Sequence, residues 1–177
     1  MKTYFFGTFD PVHSGHIKIV QTFGAIFVPT PAPPHKPTDA SFFDRVQMLK
    51  LVSDNVCEIE SEINPPNYTH KTIERLGKCN FILGYDQFLK IESWVKPEYL
   101  KEMLHFIVIP RVGAKAADFA HLKEKGYNFE IADFELMNIS SSEIRRRVKN
   151  GENIDDLTDK KVKNYIYEKR LYSQMAK

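Results

Sequence analysis

The chain has 177 residues, of which 42% are hydrophobic and 27% are charged, and its formal net charge is +2. A chain of this length can bury enough surface to fold without a disulfide or a metal ion. We therefore expect one domain over 1–177, with a C-terminal helical part from about 140 to 177. The nearly balanced charge argues against an acidic tail and against a dedicated nucleic-acid-coating protein.

Cysteine usage and the apolar runs predict a cellular compartment. Cys57 and Cys79 do not belong to a C-x-x-C pair, which argues against a zinc module or a disulfide scaffold and suits a reducing cytosol. The apolar run at the N-terminus is too short for a signal peptide, and no stretch approaches the roughly 18 apolar residues of a membrane span. We expect a cytoplasmic protein with no membrane partner.

The predicted strands and helices alternate along the chain. Apolar runs rich in β-branched or aromatic residues predict buried strands at Thr3–Phe6, Ala25–Val28, Asn80–Leu83 and His105–Ile109, with weaker candidates at Val56–Glu60 and Asn128–Ala132. Helical patterns cover His13–Phe23, Ser41–Asp54, Thr69–Leu76, Pro97–Met103, Lys115–Lys125, Ser141–Asn150 and Asp159–Tyr172. This alternation predicts an α/β fold with an open parallel sheet covered on both faces, in which ligands bind beyond the carboxyl ends of the strands.

Local signals mark helix ends and one stiff loop. Ser41 followed by Asp44 indicates a helix start, and Gly24 and Gly151 stand where C-terminal caps belong. Five prolines between positions 29 and 37 predict an extended loop. Lys36 on this loop is either a cation held ready for an anion or a solvated surface lysine.

The loop after the first strand carries a glycine, a proline turn and then a helix, a geometry that brings backbone N–H groups to an anion. His13 and His16 are three residues apart and share a helix face, and Gly15 between them removes a blocking side chain. The two imidazoles can therefore donate hydrogen bonds to phosphate oxygens. Alternatives are solvated helix-cap histidines or metal ligands, although no third ligand is evident nearby.

A second predicted anion site begins the helix after Ile139. Ser140 and Ser141 are good helix N-caps, whereas Arg145 stands in the first turns, where the helix dipole disfavours cations. A bound polyanion would reverse that preference, so Arg145 is a candidate phosphate contact. Arg146 and Arg147 point elsewhere, because successive helix residues turn by about 100°, and are more simply an exposed basic face.

These motifs resemble those of the nucleotidylyltransferase superfamily and, more closely, of bacterial nicotinate-nucleotide adenylyltransferases. The first signature is carried by Gly7-Thr8-Phe9-Asp10-Pro11, His13, Gly15 and His16. The second is Ile139 to Arg145, and further likeness lies in Phe27 to Lys36, in Phe81 to Asp86 with Trp94, and in Val162 to Tyr172. The resemblance implies a Rossmann-like open parallel sheet of the nucleotidylyltransferase type. It also implies transfer of an adenylyl group from ATP to nicotinate mononucleotide in NAD biosynthesis.

The resemblance further implies the site residues. The implied catalytic residues are His13, His16 and Arg145. ATP contacts fall to Gly7, Thr8, Phe9, His13, Gly15, His16, Gly84, Asp86, Ile139, Ser140, Ser141 and Arg145. The residues implied to bind the pyridine mononucleotide are His35, Lys36, Thr69, Trp94 and Arg111. Mg²⁺ is expected to be held mainly by ATP phosphates, with no metal ligands from the protein. The chain departs from the family pattern at Phe6, Lys71 and Val95.

Other functions stay open from the sequence. The acceptor could be nicotinamide mononucleotide or another phosphorylated molecule, since amide and carboxylate differ by few contacts. A non-catalytic nucleotide- or RNA-binding module would use Arg145 to Arg147 with Lys160, Lys161 and Lys163 as a basic face, but it would leave both histidines without a role. We expect no nucleic-acid partner, and association with copies of itself is undetermined.

Overall fold

A computed structural model describes residues 1–33, 37–111, 115–134 and 137–173. Its centre is a sheet of five parallel strands in the order β2-β1-β3-β4-β5. The strands are β1 (Thr3–Gly7), β2 (Ile26–Pro29), β3 (Cys79–Gly84), β4 (Leu104–Ile109) and β5 (Phe129–Ile131). The predicted open parallel sheet is confirmed, including the weaker candidate that became β5.

Helices cover both faces of the sheet, as predicted. They are α1 (Ser14–Phe23), α2 (Phe42–Lys50), α3 (Thr69–Leu76), α4 (Tyr85–Phe88), α5 (Pro97–Met103), α6 (Ala120–Glu124), α7 (Ser141–Asn150) and α8 (Lys160–Glu168). Alternate strand residues enter two separate cores, so Ile82 packs with α1, α2, α7 and α8 while Phe81 and Leu83 pack with α3, α4, α5 and α6. Strands β1 to β4 are therefore apolar on both faces, which explains their continuous apolar runs, whereas β5 exposes Glu130 on one face.

The predicted helix caps are present. Ser41 accepts a hydrogen bond from the backbone N–H of Asp44 at 3.1 Å, and Gly24 and Gly151 both adopt the left-handed conformation that ends a helix. Three of the predicted helices, α3, α5 and α7, have the predicted bounds. The serine and glycine caps thus mark the start of α2 and the ends of α1 and α7.

The prediction of a strand at Val56–Glu60 was wrong. Val56 makes one isolated parallel bridge with Phe27, and a 3₁₀ helix follows at Ile59–Glu62. Glutamate is disfavoured in strands, and the Ser61 hydroxyl donates to the carbonyl of Glu58 at 2.7 Å. This local bond favours a turn over continued pairing with β2.

Other predicted helices have different bounds. The region from Lys115 to Lys125 begins as a 3₁₀ helix, because the Asp118 carboxylate accepts from the N–H of Lys115 at 2.9 Å. Helix α2 stops at Lys50, since the following Ser53 hydroxyl accepts from the N–H of Asn55 at 3.1 Å and supports a turn. Helix α8 stops at Glu168, and the chain then folds back through two positive-φ residues, Arg170 and Tyr172.

The strand order creates a crevice at one edge of the sheet. The chain passes from β1 to β2 on one side and then crosses to β3 on the other side of β1, which makes the carboxyl ends of β1 and β3 a topological switch point. The loop after β1 carries the first predicted anion site, and Gly84 ends β3 beside it. Among the described residues, no helix combines the length and apolar character needed to cross a membrane.

Candidate active site

A cavity of about 540 Å³ opens at this switch point. Its walls come from the carboxyl ends of β1 and β3, the loop after β2, the first turns of α7 and the segment before α3. Predicted site residues among its lining are Gly7, Thr8, Phe9, His16, Thr69, Gly84, Trp94, Ser141 and Arg145. The fold therefore brings the two predicted anion sites to one cavity, although they are far apart in sequence.

The backbone of the first signature is shaped by Gly7 and Phe9. Phe9 has a positive φ of 50° and is only 3% exposed, with its ring folded back into the core. A Cβ atom on Gly7 would lie 2.8 Å from the Phe9 ring, so a larger residue cannot stand there without moving that ring. Gly7 thus allows the loop to turn tightly beyond β1. Phe9 serves as a core anchor of the loop as well as part of the cavity wall.

His13 and His16 cap the start of α1 reciprocally. The N–H of His16 donates to Nδ1 of His13, and the N–H of His13 donates to Nδ1 of His16, each at 3.4 Å. The rings stack with centroids 3.5 Å apart. Because both Nδ1 atoms accept, the neutral rings carry their proton on Nε2, which is the donor needed for a phosphate oxygen. A Cβ on Gly15 would lie 3.1 Å from the His13 ring, so this glycine leaves room for that imidazole.

The two histidines occupy different environments. His16 lines the cavity, whereas His13 is 8% exposed and is packed against the His16 ring outside that lining. Burial lowers the pKa of His13 to about 4. His13 is therefore neutral near pH 7, and the geometry gives it the role of orienting His16.

Replacing His13 with asparagine should make the free energy of unfolding less dependent on pH between pH 7 and pH 5. Unfolded His13 binds a proton below pH 6.5 but the folded protein does not until about pH 4, so stability falls as pH drops through this window. Between pH 7 and pH 5 the loss from this group is about 2 kcal/mol. Asparagine keeps an N-cap acceptor but does not titrate.

Urea unfolding of both proteins at pH 7 and pH 5 measures this effect. The wild-type protein should lose about 2 kcal/mol more than His13→Asn over the two pH values. His121→Asn, which changes an exposed histidine on α6, should behave like the wild type. An equal loss in wild type and His13→Asn would show that His13 titrates normally.

Helix α7 is bonded directly to the first signature. Arg145 Nη1 donates to the carbonyl of Asp10 at 2.8 Å, and the Ser141 hydroxyl donates to the carbonyl of Pro11 at 2.8 Å. Ser140 caps the helix by accepting from the N–H of Glu143 at 3.1 Å. These bonds place the guanidinium and the histidine loop on the same side of the molecule. Ile139, also predicted as an ATP contact, packs against the core on α7's side of the sheet.

The neighbouring arginines face carboxylates. Arg146 pairs with Glu143 at 2.9 Å and with Glu152 at 2.6 Å, while Arg147 pairs with Glu143 and Asp156, each at 2.9 Å. Neither arginine lines the cavity. The three arginines therefore separate as predicted, with Arg145 alone directed at the first signature.

Arg145 also pairs with an acidic residue of the proline-rich loop. Its Nε lies 2.5 Å from a carboxylate oxygen of Asp39, and Asp39 is itself well exposed. The N–H of Asp39 donates to the carboxylate of Asp10 at 2.7 Å. Arg145 thus has two acceptors on the loops that follow β1 and β2, and it lines the cavity beside them.

A buried carboxylate, Asp10, joins three parts of the chain. It accepts from the N–H groups of Asp39 at 2.7 Å and Ala40 at 3.2 Å, and from the Tyr172 hydroxyl at 2.7 Å. Burial, followed by the neighbouring Asp10 charge, raises the pKa of Tyr172. Tyr172 therefore remains a hydrogen-bond donor, and the C-terminal segment is tied to the signature loop. Asp10 has a structural role that its place in the motif did not reveal.

Arg45 is, like Asp10, a buried polar side chain that hydrogen-bonds separate loops to each other, here called a brace. Sequence reasoning did not identify it. Its Nη1 donates to the carbonyls of Thr8 at 2.6 Å and Thr30 at 2.9 Å, and its Nη2 donates to the carbonyl of Pro31 at 3.1 Å. The side chain is fully buried. It locks the loops after β1 and β2 together beneath the cavity.

The far end of the cavity is aromatic. Trp94 contacts Phe81 edge-on at 6.1 Å, and Phe6 stacks on Phe81 at 4.6 Å. Trp94 and Thr69 also line an adjoining space of about 700 Å³, which extends over Tyr68 and Leu100. Phe6, a departure from the family pattern, thus forms part of the cavity wall.

Other predicted residues lie elsewhere. Asp86 pairs with Arg111 at 2.7 Å, and neither lines the cavity, whereas the adjacent Gln87 does. Gly84 caps the short helix α4, where a Cβ atom would meet nothing within 4 Å. His35 and Lys36 fall outside the described residues. Sequence reasoning did not identify the polar residues Glu60, Asn67 and Gln87 in the cavity wall.

The parallel sheet and the paired signatures at its switch point define a nucleotidylyltransferase. A family model described as cytidylyltransferase-like matches residues 4–147. A solved structure, the Plasmodium falciparum nicotinic acid mononucleotide adenylyltransferase complexed with NaAD, shares the fold with a TM-score of 0.75 and 22% identity, over 97% of this chain and 98% of that one.

Curated relatives narrow the class. A probable nicotinate-nucleotide adenylyltransferase from Caldicellulosiruptor saccharolyticus is 32% identical over 96% of this chain and 97% of its own. One from Salmonella gallinarum is 32% identical over 97% of this chain and 98% of its own. The chain belongs to the nicotinate-nucleotide adenylyltransferase family.

Proposed function

We propose that this protein transfers the adenylyl group of ATP to nicotinate mononucleotide, giving nicotinate adenine dinucleotide and pyrophosphate in NAD biosynthesis. The observation that carries the proposal is the cavity at the switch point, which His16 and Arg145 line together. Two signatures more than a hundred residues apart in sequence are joined there by the bonds from Arg145 to Asp10 and from Ser141 to Pro11.

The reaction joins two anions, so the site must position them and compensate their charge. The acceptor phosphate attacks the α-phosphorus of ATP, and pyrophosphate leaves from the opposite side. The attacking phosphate is already ionised near neutral pH and needs no strong base. Catalysis then rests on orientation, which is worth about 7–11 kcal/mol for well-placed reactants, and on donors aimed at the developing charge.

We assign His16 to the α-phosphate and Arg145, with the N-terminus of α7, to the departing pyrophosphate. Nδ1 of His16 is engaged with the backbone of His13, so its Nε2–H faces a ligand as donor. Arg145 adds a charge-assisted donor, and the α7 N–H groups favour an anion. His13 acts behind His16 as a positioning residue.

Magnesium enters as part of the substrate. In the described ranges, no group of three or more His, Cys, Asp or Glu side chains could hold a metal ion. Asp10, the acidic residue of the first signature, already accepts three hydrogen bonds. We therefore propose that Mg²⁺ is held by ATP phosphates and water, where it neutralises part of their charge.

The acceptor fits the aromatic end of the cavity. Offset stacking of a pyridine ring on Trp94 would add about 0.5–1.5 kcal/mol of binding free energy to the contribution from burial of apolar area. Thr69 begins α3, whose free N–H groups favour a negative charge. We assign Trp94 and Thr69 to the pyridine portion and propose that Lys36 reaches the acceptor phosphate.

Release of pyrophosphate from ATP tests the function directly. The assay uses nicotinate mononucleotide, nicotinamide mononucleotide and phosphopantetheine in parallel, and chromatography identifies the product. We expect nicotinate mononucleotide to give the highest kcat/KM. Preference for nicotinamide mononucleotide would reassign the acceptor, and salt-sensitive RNA binding without pyrophosphate release would contradict catalysis.

Arg145→Ala should lower kcat/KM for ATP by about 10- to 100-fold, the effect of removing a charged hydrogen-bond donor worth about 1.5–3 kcal/mol. Arg146→Ala is the matched control, because Arg146 is on the same helix but is paired with Glu143 and Glu152. That control should retain nearly all activity. Equal losses in the two variants would remove Arg145 from the phosphate site.

A further inference from the structure

Phe6 is a large apolar side chain in the wall of the cavity, and the mechanism proposed above gives it no role. It stands near the carboxyl end of β1, between β2 and β3, where the crevice opens. The phenylalanines Phe5, Phe9 and Phe81 in the same wall are at most 9% exposed. Phe6 is only partly buried, as is Trp94. These two rings therefore offer apolar surface to a ligand in the cavity.

The alternation of side chains along β1 places Phe6 on the acceptor side of the cavity. Phe5 belongs to the core between the sheet and helices α1 and α7, and its ring lies 5.7 Å from the ring of His16. Phe6 points to the opposite face of the sheet and packs there against the same core as Trp94. The ligand that reaches Phe6 is therefore the one that reaches Trp94, which is the residue assigned above to the pyridine ring.

The ring of Phe81 lies against both Phe6 and Trp94 and relates their orientations. Phe6 stacks on Phe81 with ring centroids 4.6 Å apart and planes inclined by 22°, whereas Trp94 meets Phe81 at 6.1 Å with planes inclined by 76°. The planes of Phe6 and Trp94 are therefore strongly inclined to each other. A flat ring stacked on Trp94 is likewise inclined to Phe6, and inclined rings in contact form the edge-to-face arrangement that aromatic pairs favour.

We propose that Phe6 is a specificity-determining residue that contacts the pyridine ring of the acceptor edge to face while Trp94 stacks on that ring. The inference rests on the proposed function, in which the acceptor is a pyridine mononucleotide. A rigid flat ring fills the space between two inclined rings at little cost, whereas a flexible chain such as that of phosphopantetheine loses conformational entropy there. Phe6 thus selects the ring, and the start of α3 selects its carboxylate.

Phe6→Leu keeps an apolar side chain but removes the ring. The KM for nicotinate mononucleotide should rise about 10-fold, which corresponds to about 1.4 kcal/mol of lost ring contact and buried area. The KM for nicotinamide mononucleotide should rise by the same factor, because the two acceptors share the pyridine ring, and the KM for ATP should be unchanged. Phe129→Leu is the matched control, since Phe129 is a partly buried phenylalanine on the same core that does not line the cavity. Its KM values should equal those of the wild type.

Other roles of Phe6 predict different patterns. If Phe6 only supported Phe81 in the core, Phe6→Leu would lower the free energy of unfolding and leave both acceptor KM values unchanged, which would overturn the proposal. An equal rise in the KM for ATP would overturn it too, because Phe6 would then shape the whole cavity. A rise confined to nicotinate mononucleotide would show an effect on the carboxylate and would contradict a contact with the ring.

Nuclear magnetic resonance detects the contact in the wild-type protein. In protein labelled with ¹³C-phenylalanine, the ring signals of Phe6, assigned by their absence in Phe6→Leu, should show nuclear Overhauser effects to the pyridine protons of nicotinate mononucleotide. The absence of these effects at saturating nicotinate mononucleotide would overturn the proposal. Failure of the proposed function is distinguishable, because it would appear as absent pyrophosphate release in the wild-type protein, whereas the Overhauser effects require binding alone.

Discussion

Replacing His16 with alanine should lower kcat by about 100-fold or more while leaving the fold intact. The imidazole lines the cavity, its Nδ1 accepts from the backbone N–H of His13, and in the proposed mechanism its Nε2–H donates to the α-phosphate. Loss of one donor aimed at developing charge costs about 10²- to 10³-fold in kcat. Single-turnover measurement of pyrophosphate release at saturating ATP and acceptor reports this step.

Helix capping and phosphate contact can be separated at this position. In His16→Asn the side-chain oxygen can replace Nδ1 as acceptor for the N–H of His13, but no donor remains where Nε2–H stood. We expect His16→Asn to unfold at the wild-type urea concentration and still to have the kinetic defect of His16→Ala. His121→Ala, on exposed α6, should be fully active. An active His16→Asn would reduce His16 to a helix cap.

Much of the fold could be predicted because its signals are local. The strands of a parallel sheet buried on both faces are short continuous apolar runs, and β1, β3 and β4 stand out for that reason. Helix ends marked by a serine cap or a left-handed glycine were also found. The wrong strand at Val56–Glu60 shows where this fails, since the glutamates at positions 58 and 60 alternate with apolar residues and pairing with β2 does not continue past one bridge at Val56.

The site was predictable where one short segment holds it. His16 and Arg145 each belong to a contiguous motif, and the place of the first motif after β1 puts it at the switch point, whereas the approach of α7 to that motif depends on the tertiary bonds from Arg145 and Ser141. Glu60 was not found as a cavity residue, because its place there depends on burial and on its bond with Thr72 twelve residues away. Likewise, the pairing of Asp86 with Arg111 follows from tertiary packing, which the sequence around either residue does not encode.

Two buried polar side chains, the braces Asp10 and Arg45, hold the loops at the cavity in fixed positions relative to one another. The Asp10 carboxylate accepts hydrogen bonds from the backbone N–H groups of Asp39 and Ala40, just before α2, and from the Tyr172 hydroxyl. Arg45 binds the carbonyls that follow β1 and β2. Since parallel strands end side by side but their loops are otherwise independent, these braces hold the loop of the first signature against the loop after β2. Stability and catalysis should therefore respond together when a brace is removed.

Arg45→Met should destabilise the protein by about 3 kcal/mol, because three partly buried carbonyls each lose a hydrogen-bond donor at about 1 kcal/mol or more. Methionine replaces the aliphatic stem of arginine and so limits the cavity left behind, but it leaves the carbonyls of Thr8, Thr30 and Pro31 without their donors. Arg45→Lys should lose less, about 2 kcal/mol, because one ammonium group cannot reproduce the fork that reaches all three carbonyls.

Urea unfolding at pH 7, followed through the fluorescence of Trp94, measures these losses, and Arg75→Met is the matched control. Arg75 is an exposed arginine paired with Glu62 at 3.1 Å, so its replacement should change the free energy of unfolding by less than about 1 kcal/mol. Folded Arg45→Met should also have a raised KM for ATP, because Thr8 lies in the cavity wall and follows the brace. A stability within 1 kcal/mol of wild type would mean that water replaces the guanidinium at these carbonyls and that the two loops hold their positions without it.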